Sequence, residues 1–181
     1  MVQAELITAA QRGDAEAFAA LARLSADRLF AVAVRVTRDR YRAEDALQQA
    51  LIATWSELPR LRDPERFEAW TYRLVVRFAV QEARAARRPN REIFVLAERE
   101  RSRADTSTDV ATRDQLERGF RRLTPEQRAV LVLHFYAGQS LAEIADVIGV
   151  PLGTVGSRLH YAKRALRAAL EADNRAEERT A

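Results

Sequence analysis

Apolar residues recur along this chain at steps of three and four, the spacing that gathers side chains on one face of an α-helix. Leu6, Ala10, Ala17, Phe18 and Leu21 form the first stripe, over residues 3–24, interrupted by Gly13-Asp14. Asp14 is placed to cap a new helix start. A second stripe, Leu29, Val32, Ala33 and Val36, stops near Thr37–Tyr41. A third helix is predicted from about Arg42 to Leu58, with Ala46-Leu47, Ala50-Leu51 and Thr54-Trp55 facing inward. Pro59 and Pro64 bracket a loop. Phe67 then opens a fourth helix, with Trp70, Leu74 and Phe78 along one face, running to about Arg88 until Pro89 ends it.

From Pro89 to about Arg113 the periodicity fades into charged and Ser/Thr-rich sequence, read as a linker. Helical pattern resumes near Asp114. Thr124-Pro125-Glu126-Gln127 is a helix start: Thr caps, Pro fits the first turn, and Gln three residues on completes a capping box. Gly138 ends that helix, Ser140 starts the next and Gly149 ends it. Pro151 begins the last, which is expected to reach about Leu170, leaving Asp173–Ala181 as a polar, frayed tail.

Composition supports the same picture. The 181 residues include only 6 Gly and 5 Pro, and Ala, Leu, Arg and Glu dominate, side chains that lose little freedom on a helix. β-branched residues fall in helical stripes rather than alternating runs. The expected fold is therefore all-α: two small helical bundles joined by a flexible linker. Their bounds are read as 1–90 and 114–171, with 91–113 as the linker and 172–181 as the tail.

With no Cys and only His134 and His160, neither a disulfide nor a metal cluster is expected. No cofactor is expected either, and no phosphate loop or nucleophile–base pair suggests an enzyme. The N-terminus lacks a signal-peptide pattern, and no apolar run approaches membrane-spanning length, so the expected compartment is the cytoplasm, without membrane insertion.

Charge adds a partner class. The chain carries a net +4, and its basic residues are almost all arginine, Lys163 being the single lysine. Residues 73–88 hold five arginines against one Glu, and residues 158–167 hold Arg158, Lys163, Arg164 and Arg167 with no acid. Two basic helical segments in a weakly charged chain form an electrostatic footprint for nucleic acid. Taken singly, each is better read as a solvated helix face.

Ser140–Leu166 carries the strongest local pattern. A short helix has Leu141, Ile144, Ala145 and Ile148 on one face, a turn follows at Gly149-Val150-Pro151, and the next helix turns Val155, Leu159, Ala162 and Leu166 inward. This is a helix-turn-helix, in which Ala145 permits a close crossing and Gly149 the turn. Facing away from the core are Ser157, His160, Tyr161 and Arg164, flanked by Arg158, Lys163 and Arg167. Such a face can read base edges and hold phosphates in a major groove. The same pattern also arises in plain helical hairpins.

The segment Leu123–Arg164, with TPEQRAVL, SLAEIA and GTVGSRLHYAK, resembles the second domain of the extracytoplasmic-function class of bacterial sigma factors. Ala43–Trp55, AEDALQQALIATW, resembles the polymerase-binding helix of that class, and Phe67–Arg77, FEAWTYRLVVR, its promoter-melting helix. The three matches occur in family order and together span roughly residues 5–170.

The resemblance implies a non-enzymatic initiation factor that recruits core RNA polymerase to promoter DNA and opens it. It implies docking of Asp45, Gln48, Gln49 and Ile52 on the clamp helices of the polymerase's largest subunit, a contact with the polymerase flap region, and an anti-sigma factor as inhibitor. For the minus-ten element it points to the loop Pro59–Arg66 and the helix after it. Arg73, Arg77, Arg84, Arg87 and Arg88 are the candidate strand contacts. Trp70 and Tyr72 also match family positions, although Trp70 lies on the inward stripe. For the minus-thirty-five element it points to Ser157, Arg158, His160, Tyr161, Lys163, Arg164 and Arg167.

Three residues depart from the family pattern: Gln49 where an acid is usual, Arg77 where Asn is common, and Gly156 where Lys or Arg is typical. A linker of about 25 residues can extend to roughly 80 Å, enough to bridge sites one and a half to two helical turns apart, roughly 50–70 Å. The rival reading is a stand-alone helix-turn-helix regulator that binds duplex DNA as a dimer, without need of the 42–58 helix as a partner surface.

Overall fold

The computed structural model describes residues 2–87 and 116–178, and these are helices and turns with no strand among them. The linker read at 91–113 lies outside the described residues. Helix α1 spans Val2–Gln11 and α2 spans Ala15–Thr37; Asp14 caps α2 by accepting from the backbone N–H groups of Glu16 and Ala17. The two stripes read as separate helices on either side of Ser25 belong to this one α2. No Gly or Pro interrupts residues 25–28, and the Ser25 hydroxyl is absorbed by donating to the Leu21 carbonyl at 2.8 Å. At its end, Arg38 adopts a left-handed conformation, φ 61°.

Helix α3, Arg40–Glu57, follows the Asp39 cap, and α4 spans Phe67–Ala85. The buried face of α3 is Ala43, Ala46, Ala50 and Thr54. Small side chains along the buried stripe let α3 lie close against α2 and α4, while Leu47 packs at the edge of the core and Ile52, together with Trp55, which was expected inward, is left at the surface. Ile52 is 60% exposed and Trp55 37%. Between α3 and α4 run two single 3-10 turns, Leu58–Arg60 and Pro64–Arg66. They are anchored rather than free. Leu58 and Phe67 are buried in a small cluster with Ile7, Ala10 and Leu21. The Gln11 amide donates to the carbonyls of Leu58, at 3.2 Å, and Leu61, at 2.7 Å.

The second bundle begins with helix α5, residues 116–122. Then come α6 (Pro125–Leu131), α7 (Leu141–Ile148) and α8 (Leu152–Glu178). Capping boxes start α6, with Thr124 and Gln127, and α7, with Ser140 and Glu143. After α6 the backbone widens into a π turn over Val132–Tyr136. A wider turn rotates the following side chains relative to an α-helix, so Leu133 is buried while Phe135 is 64% exposed. Gly149 closes α7 at φ 67°. Helix α8 runs on to Glu178, past the Leu170 expected from its apolar stripe, so the frayed tail expected from Asp173 is helical that far. Its Ala, Glu and Arg residues have the propensity to carry a helix beyond the core it packs on.

The two bundles also pack on each other. One apolar cluster takes in Val36, Tyr72 and Val76 from the first bundle and Val130, Leu133 and Val147 from the second. Around it run polar ties between the bundles: Arg38–Glu117 at 2.9 Å, Arg84–Glu126 at 2.6 Å and Arg66–Asp146 at 3.4 Å.

Candidate polymerase- and DNA-binding surfaces

Asp45, Gln48 and Ile52 share the exposed side of α3, as their spacing requires. Gln49 does not join them fully. It is half-buried, and its amide donates to the Glu82 carboxylate of α4 at 3.2 Å. Glu82 also faces Arg42 at 3.7 Å, so Gln49 belongs to a polar tie between α3 and α4. The reason is angular: position 49 lies beside Ala50 at the edge of the buried stripe. The outward surface is thus one carboxylate, one amide and an apolar center extended by Trp55, whose ring packs on Phe18 with centroids 4.9 Å apart.

On α4, Arg73 and Arg77 are exposed, and the guanidinium of Arg77 lies over the Phe78 ring, 4.6 Å from its center. Arg84 is exposed but ion-paired to Glu126, and Arg87 donates to the Leu123 carbonyl at 2.6 Å. Arg88 lies outside the described residues. Trp70 is packed against both apolar clusters and Tyr72 is 2% exposed, so both serve the core. Burial pushes the Tyr72 hydroxyl above its ordinary value, with Arg28 opposing.

On α8, Ser157, His160, Tyr161, Lys163, Arg164 and Arg167 are all exposed, and Tyr161 shows 58% of its surface. The Ser157 hydroxyl donates to the Thr154 carbonyl at 3.0 Å, leaving its lone pairs outward. His160 and Tyr161 meet edge to face, centroids 5.7 Å apart. Arg158 is half-exposed and turns toward α4. It lines a cleft of about 650 Å3 whose other wall includes Arg73, Arg77 and Arg84. At Gly156 an added Cβ would meet nothing within 4 Å, so this stretch of the reading face is open.

A further surface was not evident in the sequence. Phe120, Leu131, Phe135, Tyr136, Leu166 and Leu170 line an apolar groove of about 490 Å3 between α5, the π turn and α8. Lys163 and Arg167 stand at its edge, and Arg35 of α2 lies over the Tyr136 ring at 4.0 Å. The run His134-Phe135-Tyr136 before Gly138 was the available signal, but only the π turn decides that Phe135 and Tyr136 face out.

An exposed amide–acid–apolar helix face, an arginine-lined second helix and a basic helix-turn-helix together describe a sigma-type transcription factor. Residues 21–89 match the model of Sigma-70 region 2, and residues 113–166 that of Sigma-70, region 4. The chain is 36% identical over 169 residues to the ECF RNA polymerase sigma factor SigL of Mycobacterium tuberculosis, covering 88% of this chain and 94% of that one. CnrH, solved in complex with the cytosolic domain of CnrY, aligns with a TM-score of 0.68 and 25% identity over 96% of this chain and 99% of that one. The sigma factor RpoE of Bartonella quintana, solved with the anti-sigma factor NepR, has the same fold, with a TM-score of 0.68 at 21% identity over 86% of this chain and 98% of that one. The chain belongs to the ECF family of RNA polymerase sigma factors, and its function is promoter-specific transcription initiation. Among the described residues no helix is long and apolar enough to cross a membrane.

Proposed function

We propose that the chain docks core RNA polymerase through the exposed face of α3 and places two DNA-reading elements on a promoter. Asp45, Gln48 and Ile52 form the docking face for the clamp helices, with Trp55 beside them. The anchored turns between Leu58 and Arg66 and the arginines of α4 take the opened minus-ten strand, where cations hold phosphates and unstacked bases are captured. Helix α8 enters the major groove at the minus-thirty-five element. There the fork of Arg158 suits a guanine edge, and Ser157, His160, Tyr161 and Arg164 complete the reading face. The apolar groove between α5 and α8 suits an amphipathic helix, and the polymerase flap is its occupant. An anti-sigma factor competes for these surfaces, and the work is done in the cytoplasm without covalent chemistry by this chain.

The observation that carries this reading is the exposed apolar Ile52 between Asp45 and Gln48 on a helix whose buried side is alanine. With Trp55 beside it, Ile52 gives that face an apolar center inside a polar rim, the arrangement of a docking surface. Transcription in vitro with purified core enzyme tests it. Specific transcripts from promoters bearing both elements are expected only when this chain is added. Gln48→Lys together with Ile52→Lys should abolish them while leaving helix content unchanged, since new positive charge would meet a basic partner surface. Equal transcripts from core alone, or undiminished core binding by the double variant, would overturn the assignment.

A further inference from the structure

Gly156 stands in the second turn of α8, and no packing among the described residues calls for a glycine there. A glycine inside a helix weakens it relative to alanine, because its backbone has more freedom to lose. Other glycines of this chain have a structural reason. Gly149 turns the chain at positive φ, and at Gly119 of α5 an added Cβ would run into Leu166 Cδ1. Gly156 has neither reason: its φ is not positive, and an added Cβ would meet nothing among the described residues within 4 Å. A glycine that the fold does not use is suited to the close approach of another molecule to the backbone.

The missing side chain opens onto a hollow of about 590 Å3. Leu141 at the start of α7 and Leu159 give it an apolar lining, His160, Lys163, Arg164 and Arg167 a basic one, and no carboxylate lines it. Along α8 it runs from Gly156 to Arg167, roughly 16 Å at 1.5 Å per residue. Gly156 and Leu159 lie at one end and Arg164 and Arg167 at the other, so the groove suits an apolar group carried on a polyanion. Phosphates alone would use the cations and leave the apolar end unfilled. In a major groove the apolar group on a base edge is the C5-methyl of thymine, and phosphates follow at roughly 3.4 Å per nucleotide along the strand.

We infer that Gly156 is a specificity-determining residue. The space it leaves receives the methyl group of one thymine in the upstream promoter element, while Lys163, Arg164 and Arg167 hold the neighboring phosphates. A larger side chain at this position fills the hollow and holds the backbone away from that base. The inference rests on the reading of α8 as the helix that enters the major groove.

Replacing thymine by uracil removes the methyl and nothing else, which isolates this contact. Holoenzyme assembled from the full chain and core enzyme is used to select duplexes from a pool randomized over the promoter region. In a selected duplex each thymine of the upstream element is then exchanged singly for uracil, and holoenzyme is titrated against each. One exchange should weaken binding roughly fourfold, the value of one buried methyl group. Gly156→Leu should bind the thymine and uracil duplexes alike, at or below the wild-type affinity for the uracil one, and Gly156→Ala should fall between. A role of Gly156 in folding alone would change affinity for both duplexes and leave their ratio intact. No position at which wild type distinguishes thymine from uracil, or full discrimination by Gly156→Leu, overturns the inference. If Gly156→Leu proves unfolded by circular dichroism, Gly156→Ala decides, and an undiminished ratio there overturns it equally. Holoenzyme that selects an upstream element without such a position overturns this contact and leaves the sigma-factor reading standing; a chain that neither binds core nor selects any sequence overturns both.

Discussion

Glu126 shows how much one side chain can settle at the seam between the two bundles. Burial pushes its carboxyl up, but the backbone N–H at the start of α6, the Arg84 guanidinium and Thr124 outweigh it and leave the group below its ordinary 4.5. A carboxyl lowered in the folded chain contributes stability that is present above the unfolded value and is lost as pH falls through the folded one. Wild type should therefore melt higher than Glu126→Gln above pH 6, and the gap should close as pH falls below 4.5. Paired thermal melts from pH 7 to pH 3 check this, and a gap that does not change with pH would show that Glu126 is not held ionized by these partners. At this scale the sequence placed Asp45, Gln48, Ile52 and the α8 cations on the surface, because helical periodicity decides which way each points. It misplaced Gln49, which lies at the edge of the stripe, where a few degrees of rotation and a carboxylate on α4 decide the outcome. Periodicity carried no information about Arg128 of α6 either, which is only 5% exposed: a charged residue reads as exposed unless its tertiary neighbors are known.

Elements were the most legible level, since their ends are written in local chemistry. Asp14, Thr124, Ser140 and Gly149 all stand at the boundaries their types require. What was lost depends on features without a local signature: the π turn after α6, the continuity of α2 and the extension of α8. Two glycines seven residues apart, Gly149 and Gly156, make a test of the helix-turn-helix. At Gly149, φ is 67° and an added Cβ would approach only an Arg73 nitrogen at 4.0 Å, so the cost of Gly149→Ala is backbone strain, about 1–2 kcal/mol. At Gly156, within α8 and with open space around it, Ala removes backbone freedom from the unfolded chain and should stabilize by about 1 kcal/mol. Denaturant melts of the two variants should move in opposite directions. A destabilizing Gly156→Ala would mean that α8 needs flexibility there that its helical geometry does not show.

At the scale of the whole molecule, the sequence yielded two helical bundles but not their contact. Arg38–Glu117, Arg66–Asp146 and Arg84–Glu126 join residues 79, 80 and 42 positions apart, and no window along the chain brings such partners together. Their chemistry nevertheless dictates a response to salt. The carboxylate or the guanidinium of each tie is solvent-exposed: Arg66 and Asp146 keep 65% and 72% of their side-chain surface, and Arg84 64%. Added salt screens such pairs, which are individually weak. Salt therefore loosens the polar ties, while the apolar contacts around Val36 and Val130 are left or slightly strengthened. If the polar ties matter, the radius of gyration from small-angle scattering should start near the compact value of about 16 Å for a chain of this length at low ionic strength and rise as salt is added. Glu126→Gln should start larger and change less, because its strongest tie is already gone. A radius that stays constant or falls across the same titration would show that the apolar cluster alone holds the bundles together, and that the ion pairs only decorate a seam closed by burial.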